Sequence, residues 1–368
     1  MSSTECLNET ELLSPGSQQN VAHCIDPLQD RRWDELVERH PQASVFHSSA
    51  WLSALARTYQ YRPIAYASSN DGRRLESGMV FCQVESWLTG RRLVSLPFSD
   101  HCEPLVDRQS DLDAITIALE EEERQGRWRY IEMRPLRAAH IGTSLHRATL
   151  PFTFHQLDLS PDLPTLFRNC HKNSTQRKIL RAEREALQYC EGSTGELLDE
   201  FYRLLTITRQ RHHRPPQPRD WFVNLIESFG DALKIRVALK GDRPVAAIVT
   251  IRHKDTMYYK YGGSDRGFNH LGGMHFLLWG AIQEAKSAGV RFFDFGRTDA
   301  DQHGLITFKK RWGTVQSDLI YSRYSRDVAR SFESSATSWK YKAARYLLAR
   351  MQPGVLSLAG RALYRHVG

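Results

Sequence analysis

Chemistry is best sought where unusual side chains meet at short spacing, and residues 293–313, FDFGRTDADQHGLITFKKRWG, are such a place. An apolar strand exits at Arg297, and Phe308, Lys309 and Lys310 follow eleven to thirteen residues later. A lysine set among bulky apolar neighbours is a compact charge that can reach inward; the plain alternative is a pair of solvated surface lysines. Read as a strand, the segment puts Lys309 and Lys310 on opposite faces, so at most one enters a site. Phe308 and Trp312 are either a pocket wall or ordinary core. Arg297 is placed to hold a phosphate or carboxylate bidentately, or to pair with Asp294, Asp299 or Asp301. The letters DFG suggest a kinase, but the Gly-rich loop, strand lysine and H-R-D loop of that chemistry are missing.

Three further groups stand upstream. YGGSDRGFNHLGGMHF places Gly272 and Gly273 between a strand and a helix, where backbone N–H groups can meet an anion; no G-K-[ST] follows, so it is not a Walker loop. The equally plain reading is a Gly-rich connection. RNCHKNSTQRKILRAER carries Arg177, Arg181 and Arg184 at i, i+4 and i+7, one face of a helix. That face fits a pyrophosphate, a tRNA backbone or an anionic lipid, or is merely solvated, with Glu183 and Glu185 neutralising part of it. Tyr259 and Tyr261 flank Lys260 and share a face of a regular strand, as core or as a stacking surface. No His, Cys or carboxylate set has metal-ligand spacing, so no metal is expected.

Composition narrows the class. The 368 residues are 41 % hydrophobic and 25 % charged, which fits a globular protein of two domains. The net charge of +8 favours anionic partners. Six cysteines lack any C-x-x-C pair and read as reduced thiols. The polar start, MSSTECLNETELLSPGSQQN, has neither the basic nor the apolar region of a signal peptide. No apolar run reaches the roughly 20 residues of a membrane span. A cytoplasmic protein is expected.

These candidates need elements to position them. Helices are predicted from a cap at Asp26 and from a Ser cap before WLSALARTYQ; strands follow at RPIAYASS, SGMVFCQVES and RRLVSLPFSD, then a helix over 112–125 and a strand over 128–133. From Trp221 the pattern begun at Trp51 is replayed: a Trp-led helix, three strands ending in Ser-Asp, a helix, a Gly and a strand. WRYIEM thereby lies opposite VRFFDF, and Glu132 opposite Asp294. Each half reads α–β–β–β–α–β, an α/β (α+β) layer built on a mixed sheet. A basic helical insert, about 163–214, separates the halves. The segment WKYKAARYLLARMQPGVLSLAGRALYRHVG mixes basic and apolar residues and suits either a membrane surface or packing against the body.

RKILRAEREAL, DRPVAAIVTIRHKDTMYYKYGGSD, GVRFFDFGRT and GLITFKKRWG together resemble the FemAB-like branch of the GNAT acyltransferase superfamily, over roughly 165–325; VFHSSAWLSALARTY and LVSLPFSD resemble its N-terminal domain more loosely. The resemblance implies two tandem GNAT-like domains, here 21–150 and a catalytic 151–325, after a disordered 1–20 and before a basic helical tail, 326–368. It implies transfer of an acyl or aminoacyl group onto an amine or hydroxyl of a peptidoglycan or polysaccharide precursor, lipid-linked or anionic. The matching lysine, Lys309, would stabilise the acyl carbonyl, with Phe308 beside it. Arg177, Arg181, Tyr259, Tyr261 and Arg297 would contact substrate, and Gly272 and Gly273 the donor. The acetyl-CoA spacing, Arg or Gln then x-x-G-x-G, is absent, so acyl-CoA and aminoacyl-tRNA both stand as donors, neither tightly bound. tRNA and the inner face of the membrane are the implied further partners. The reading of another class is a silent binding module for such a precursor or for tRNA.

Overall fold

The computed structural model of the chain describes residues 21–87, 89–137, 143–327 and 363–366. The first half places β1 (Ala22–Ile25), α1 (Arg31–Arg39), α2 (Ser49–Tyr59), β2 (Arg62–Ser68), β3 (Ser77–Ser86), β4 (Gly90–Val94), α3 (Gln109–Arg124) and β5 (Ile131–Met133) in order. After β6 (His146–Asp158), the helices α4 (Leu163–Asn169) and α5 (Arg177–Arg184) lead into the second half. That half runs β7 (Gln188–Gly192), α6 (Gly195–Arg211), α7 (Arg219–Phe229), β8 (Leu233–Lys240), β9 (Arg243–His253), β10 (Thr256–Ser264), α8 (Gly273–Ser287) and β11 (Phe292–Asp299). α9 (His303–Lys310) and β12 (Val315–Ser325) follow. Caps mark the helix starts: Ser48 accepts from the Trp51 N–H at α2, and Asp30, not Asp26, caps α1.

All twelve strands form one sheet in the order β1-β2-β3-β4-β5-β12-β6-β11-β10-β9-β8-β7. The order is a palindrome about the β12–β6 pair. β2, β3, β4 and β5 pair antiparallel, antiparallel and parallel, and β8, β9, β10 and β11 do the same. The internal repeat is therefore real in three dimensions, and it begins one strand and one helix earlier than Trp51 and Trp221, at β1 and at β7. The expected helical insert shrinks to α4 and α5. Each repeat's last strand crosses over: β6 pairs with β11, while β12 pairs with β5. The expected boundary at 150/151 falls inside β6.

Alternation along the strands separates two cores. Ala65, Ala67, Val80 and Cys82 face α1 and α2, whereas Ile64, Tyr66, Met79 and Phe81 face α3. Across the pseudo-twofold axis the two Trp-led helices pack together: Trp51 and Trp221 meet edge-to-face at 5.2 Å, and Asn224 donates to Thr58 at 2.8 Å. On the opposite face of the second half, α4, α5 and α8 cover β11. Most of the C-terminal tail lies outside the described residues, but Tyr364 packs on both halves, its carbonyl accepting from the Tyr61 hydroxyl and its own hydroxyl donating to the Pro215 carbonyl. No helix among the described residues is long and apolar enough to cross a membrane.

Candidate active site

The segment GLITFKKRWG is a helix, not the expected strand. Ile306 and Thr307 are β-branched and favour strand locally, but tertiary contacts override them. The Arg311 carbonyl accepts from the His171 N–H and the Thr175 hydroxyl, Thr314 donates to the Lys309 carbonyl, and Gly313, at φ +75°, ends the helix in the left-handed region that glycine tolerates. On this helix Lys309 is buried, 3 % exposed, and Lys310 points to solvent. Phe308 is half-buried against His275, at 5.4 Å, and Trp312 is wholly buried.

The helix lies over a split in the sheet. β10 and β11 pair only from Thr256↔Phe292 to Tyr258↔Asp294, although both run on for several residues. Both kink there: β10 bulges between Tyr259 and Tyr261, and β11 between Asp294 and Gly296. The β10 bulge overturns the expectation that Tyr259 and Tyr261 share a face. The extra residue, Lys260, turns Tyr261 to the same side as Tyr258, where its hydroxyl accepts from the Trp221 indole at 2.8 Å within the core of α2 and α7. Tyr259 stays on the other side, near Met274.

Asp100, from the loop after β4, fills the split. Its carboxylate accepts from the Lys260 ammonium at 2.8 Å and lies so close to Gly296 that a Cβ there would sit 2.8 Å from Oδ2. Gly296 adopts φ +69°, so the glycine is required on both counts. The Tyr321 hydroxyl donates to the Asp100 carbonyl at 2.7 Å. Lys309 donates to the carbonyls of Gly296, 2.9 Å, and Arg297, 3.0 Å. An ammonium has three donors, so one remains. Arg297 stacks on Phe152 at 4.3 Å and pairs loosely with Asp299 at 3.7 Å.

Three cations, Lys260, Arg297 and Lys309, thus face two carboxylates, Asp100 and Asp294. Burial lowers the Lys309 ammonium to about 8, with Asp100 and Asp294 pulling it back and Lys260 and Arg297 pushing it further down. Burial alone would raise the Asp100 carboxyl, but the Lys260 ammonium overrides it and holds it below the ordinary range. Such perturbed, converging groups in a split sheet make this the candidate reaction site.

The remaining sequence candidates lie apart. Arg177, Arg181 and Arg184 are exposed on α5, and Arg181 is paired with Glu185 at 2.5 Å. α5 packs on the start of α8: a Cβ on Gly272 would lie 2.2 Å from the Lys178 carbonyl oxygen, and one on Gly273 3.1 Å from Ala246. Both glycines are explained by close packing. No cluster of metal-ligating side chains occurs among the described residues. Sequence reasoning passed over Asp100, His101 and Lys260. Two signals were present: the Ser-Asp expected at the end of the third strand of each half, and a lone charge inside YYKY.

Residues 171–310 match the family model of the acetyltransferase (GNAT) domain. That stretch of the chain is similar to a GNAT domain. The chain's likeness to solved structures includes the crystal structure of FemX, with a TM-score of 0.63 and 15 % identity over 79 % of this chain and 95 % of that one, so the two share a fold. Among curated relatives, the UDP-N-acetylmuramoylpentapeptide-lysine N(6)-alanyltransferase of Weissella viridescens is 25 % identical over 170 residues, 45 % of this chain and 50 % of that protein. The lipid II:glycine glycyltransferase of Staphylococcus saprophyticus is 38 % identical over 69 residues, 17 % of each chain. The chain thus spans half or less of the length of these relatives.

Proposed function

We propose that this GNAT protein moves an aminoacyl group from an aminoacyl-tRNA to an amine of a cell-envelope precursor of the peptidoglycan class. The observation that carries the reading is the Lys309 ammonium: buried, seated on two backbone carbonyls, and left with one donor. When an amine attacks the ester carbonyl, the tetrahedral oxygen takes up negative charge, and a preorganised cation in a dry cleft stabilises it. Lys309 supplies that donor. As the intermediate collapses, the ester C–O bond breaks and the tRNA 3′-oxygen leaves with a proton that originates on the attacking amine. That proton passes directly or through water, because the Lys260 ammonium holds Asp100 below the ordinary carboxylate range and leaves it a poor base.

Arg297 serves the anionic portion of the precursor, with Phe152 and Tyr321 holding its guanidinium flat. The aminoacyl-tRNA donor is favoured over acyl-CoA because the acetyl-CoA spacing is absent and the Gly272 N–H already donates to the Asn269 carbonyl, where a pyrophosphate would need free N–H groups. Arg177, Arg181 and Arg184 offer the tRNA backbone a basic face. The precursor brings the protein to the inner face of the membrane. Supporting this reading are the GNAT domain and two relatives whose names describe alanyl and glycyl transfer.

The test offers the purified protein aminoacyl-tRNAs and acyl-CoAs with UDP-linked and lipid-linked muropeptides, following mass gain on the acceptor. Transfer by wild type and its loss in Lys309→Ala are expected. Equal transfer by both proteins removes Lys309 from the chemistry. Transfer from acyl-CoA alone overturns the donor assignment. Binding without transfer from any donor leaves the silent binding module.

A further inference from the structure

Lys309 can serve an oxyanion only if its ammonium is held still, and what holds it is the kink in β11. In register, Asp294 opposes Gln156 of β6, and the next partner pair is Gly296↔His155, so Phe295 is the extra residue. A bulge deprives the strand of a ladder bond at that point. Here the Asp294 carboxylate replaces it: Oδ1 accepts the Gly296 N–H two residues on, the pattern of an Asx turn. That turn fixes the backbone whose carbonyls at Gly296 and Arg297 seat the lysine.

The other carboxylate oxygen leaves the strand. Asp294 Oδ2 lies 3.2 Å from Nε2 of His101, the residue after Asp100 in the loop of the first half. The imidazole is wedged edge-on between Phe46 and Phe154, at 5.2 and 5.4 Å. Asp294 has both carboxylate oxygens engaged, one by the Gly296 N–H and one by His101, so the pair is turned on the strand rather than on the cleft. A buried carboxylate spent on one backbone N–H and one histidine of the other half is expensive to keep. The mechanism above uses neither residue.

We propose that His101 and Asp294 are a positioning pair: the first half, through His101, locks the β11 bulge that seats the Lys309 ammonium. The proposal rests on the role given to Lys309 above. It makes the first half a working part of the site twice over, with Asp100 filling the split and His101 setting its edge.

The experiment reads the seat of Lys309 directly. The full chain is labelled with acetic anhydride across a pH series, and the rate at Lys309 is followed by peptide mass mapping. The groups acting on that ammonium are Asp100 from the loop, Lys260 from β10, Asp294 and Arg297 from β11, and His155 from β6, with His101 reaching it only through Asp294. In wild type the rate is expected to inflect near about 8. His101→Gln keeps a donor for Asp294, whereas His101→Leu removes it, and the two are equal in charge. The Gln variant is expected to keep the wild-type inflection. The Leu variant is expected to release Lys309, moving the inflection upward by about one unit or more toward an ordinary lysine and so lowering the free-amine fraction at pH 7 about tenfold. Identical profiles for the two folded variants overturn the proposal. Should the Leu variant fail to fold, amide hydrogen exchange in wild type decides: slow exchange at Gly296 supports the Asp294 bond, and exchange at the free-chain rate overturns it. Labelling needs no substrate, so a failure of transfer chemistry and a failure of the positioning pair are told apart.

Discussion

Burying a charged lysine is a cost that pH can relieve, and Lys309 allows the cost to be measured. Its folded-state value of about 8 lies below the ordinary 10.5. The group is therefore less protonated in the folded chain than in the unfolded one between those values, and stability rises with pH across that window. Below about 8 the penalty is present in full; above 10.5 it is gone. The difference of 2.5 units corresponds to about 3 kcal/mol at completion, of which about 2.5 kcal/mol is recovered by pH 10. Lys309→Met carries no such charge. Urea unfolding of both proteins at pH 7 and pH 10 should therefore show wild type gaining about 2.5 kcal/mol relative to the variant, other titrations being common to both. Transfer activity should run the opposite way, declining as the ammonium is lost above about 8. Parallel stability curves for the two proteins would refute the claim that Lys309 is buried as a cation.

Three further outcomes are expected. Gly296→Ala forces a methyl to within 2.8 Å of the Asp100 carboxylate at φ +69°, and should cost about 1–3 kcal/mol in urea unfolding while separating Asp100 from Lys260 and abolishing transfer. Glu132, held between Arg134 and Arg323 at 2.7 Å each, is pulled to about 2 against the upward push of burial; its stabilisation is complete above 4.5 and lost as pH falls through about 2, so the advantage of wild type over Glu132→Gln, about 3–5 kcal/mol at pH 7, should shrink in acid unfolding curves. Replacing Arg177 and Arg181 together by Ser should leave the thermal midpoint unchanged, because both are exposed, yet weaken and flatten the salt dependence of tRNA binding in a filter assay.

Much of the fold could be read in advance because it is written twice. Trp51 and Trp221, Ser99-Asp100 and Ser264-Asp265, and the paired final strands all mark a repeat that the sheet order bears out. What escaped was set by tertiary contact. Helix α9 hides behind Ile306 and Thr307, whose local preference is for strand. The side of the sheet taken by Tyr261 depends on one inserted residue, and period-two alternation carries no warning of a bulge. Asp100 and His101 lie about 200 residues from the lysine they serve, so only the folded sheet brings them to it. The burial of Lys309 was legible through its apolar neighbours and the family resemblance, though for a strand it does not form.

The exchange of β6 and β12 bears on how the molecule assembles. Each half closes its sheet with a strand delivered by the other, so neither can finish alone, much as two subunits of a swapped dimer cannot. Isolated first-half fragments ending before β6 would leave the β5 edge bare and prone to self-association. A chain cut in the loop between β6 and α4 should be rescued only when both pieces are made together. Because β5 must wait for β12, some 190 residues later, its edge closes only once nearly the whole chain is made, and the cleft with it: a ribosome-bound first half has Asp100 and His101 in hand, but neither Lys260 nor Asp294 for them to hold.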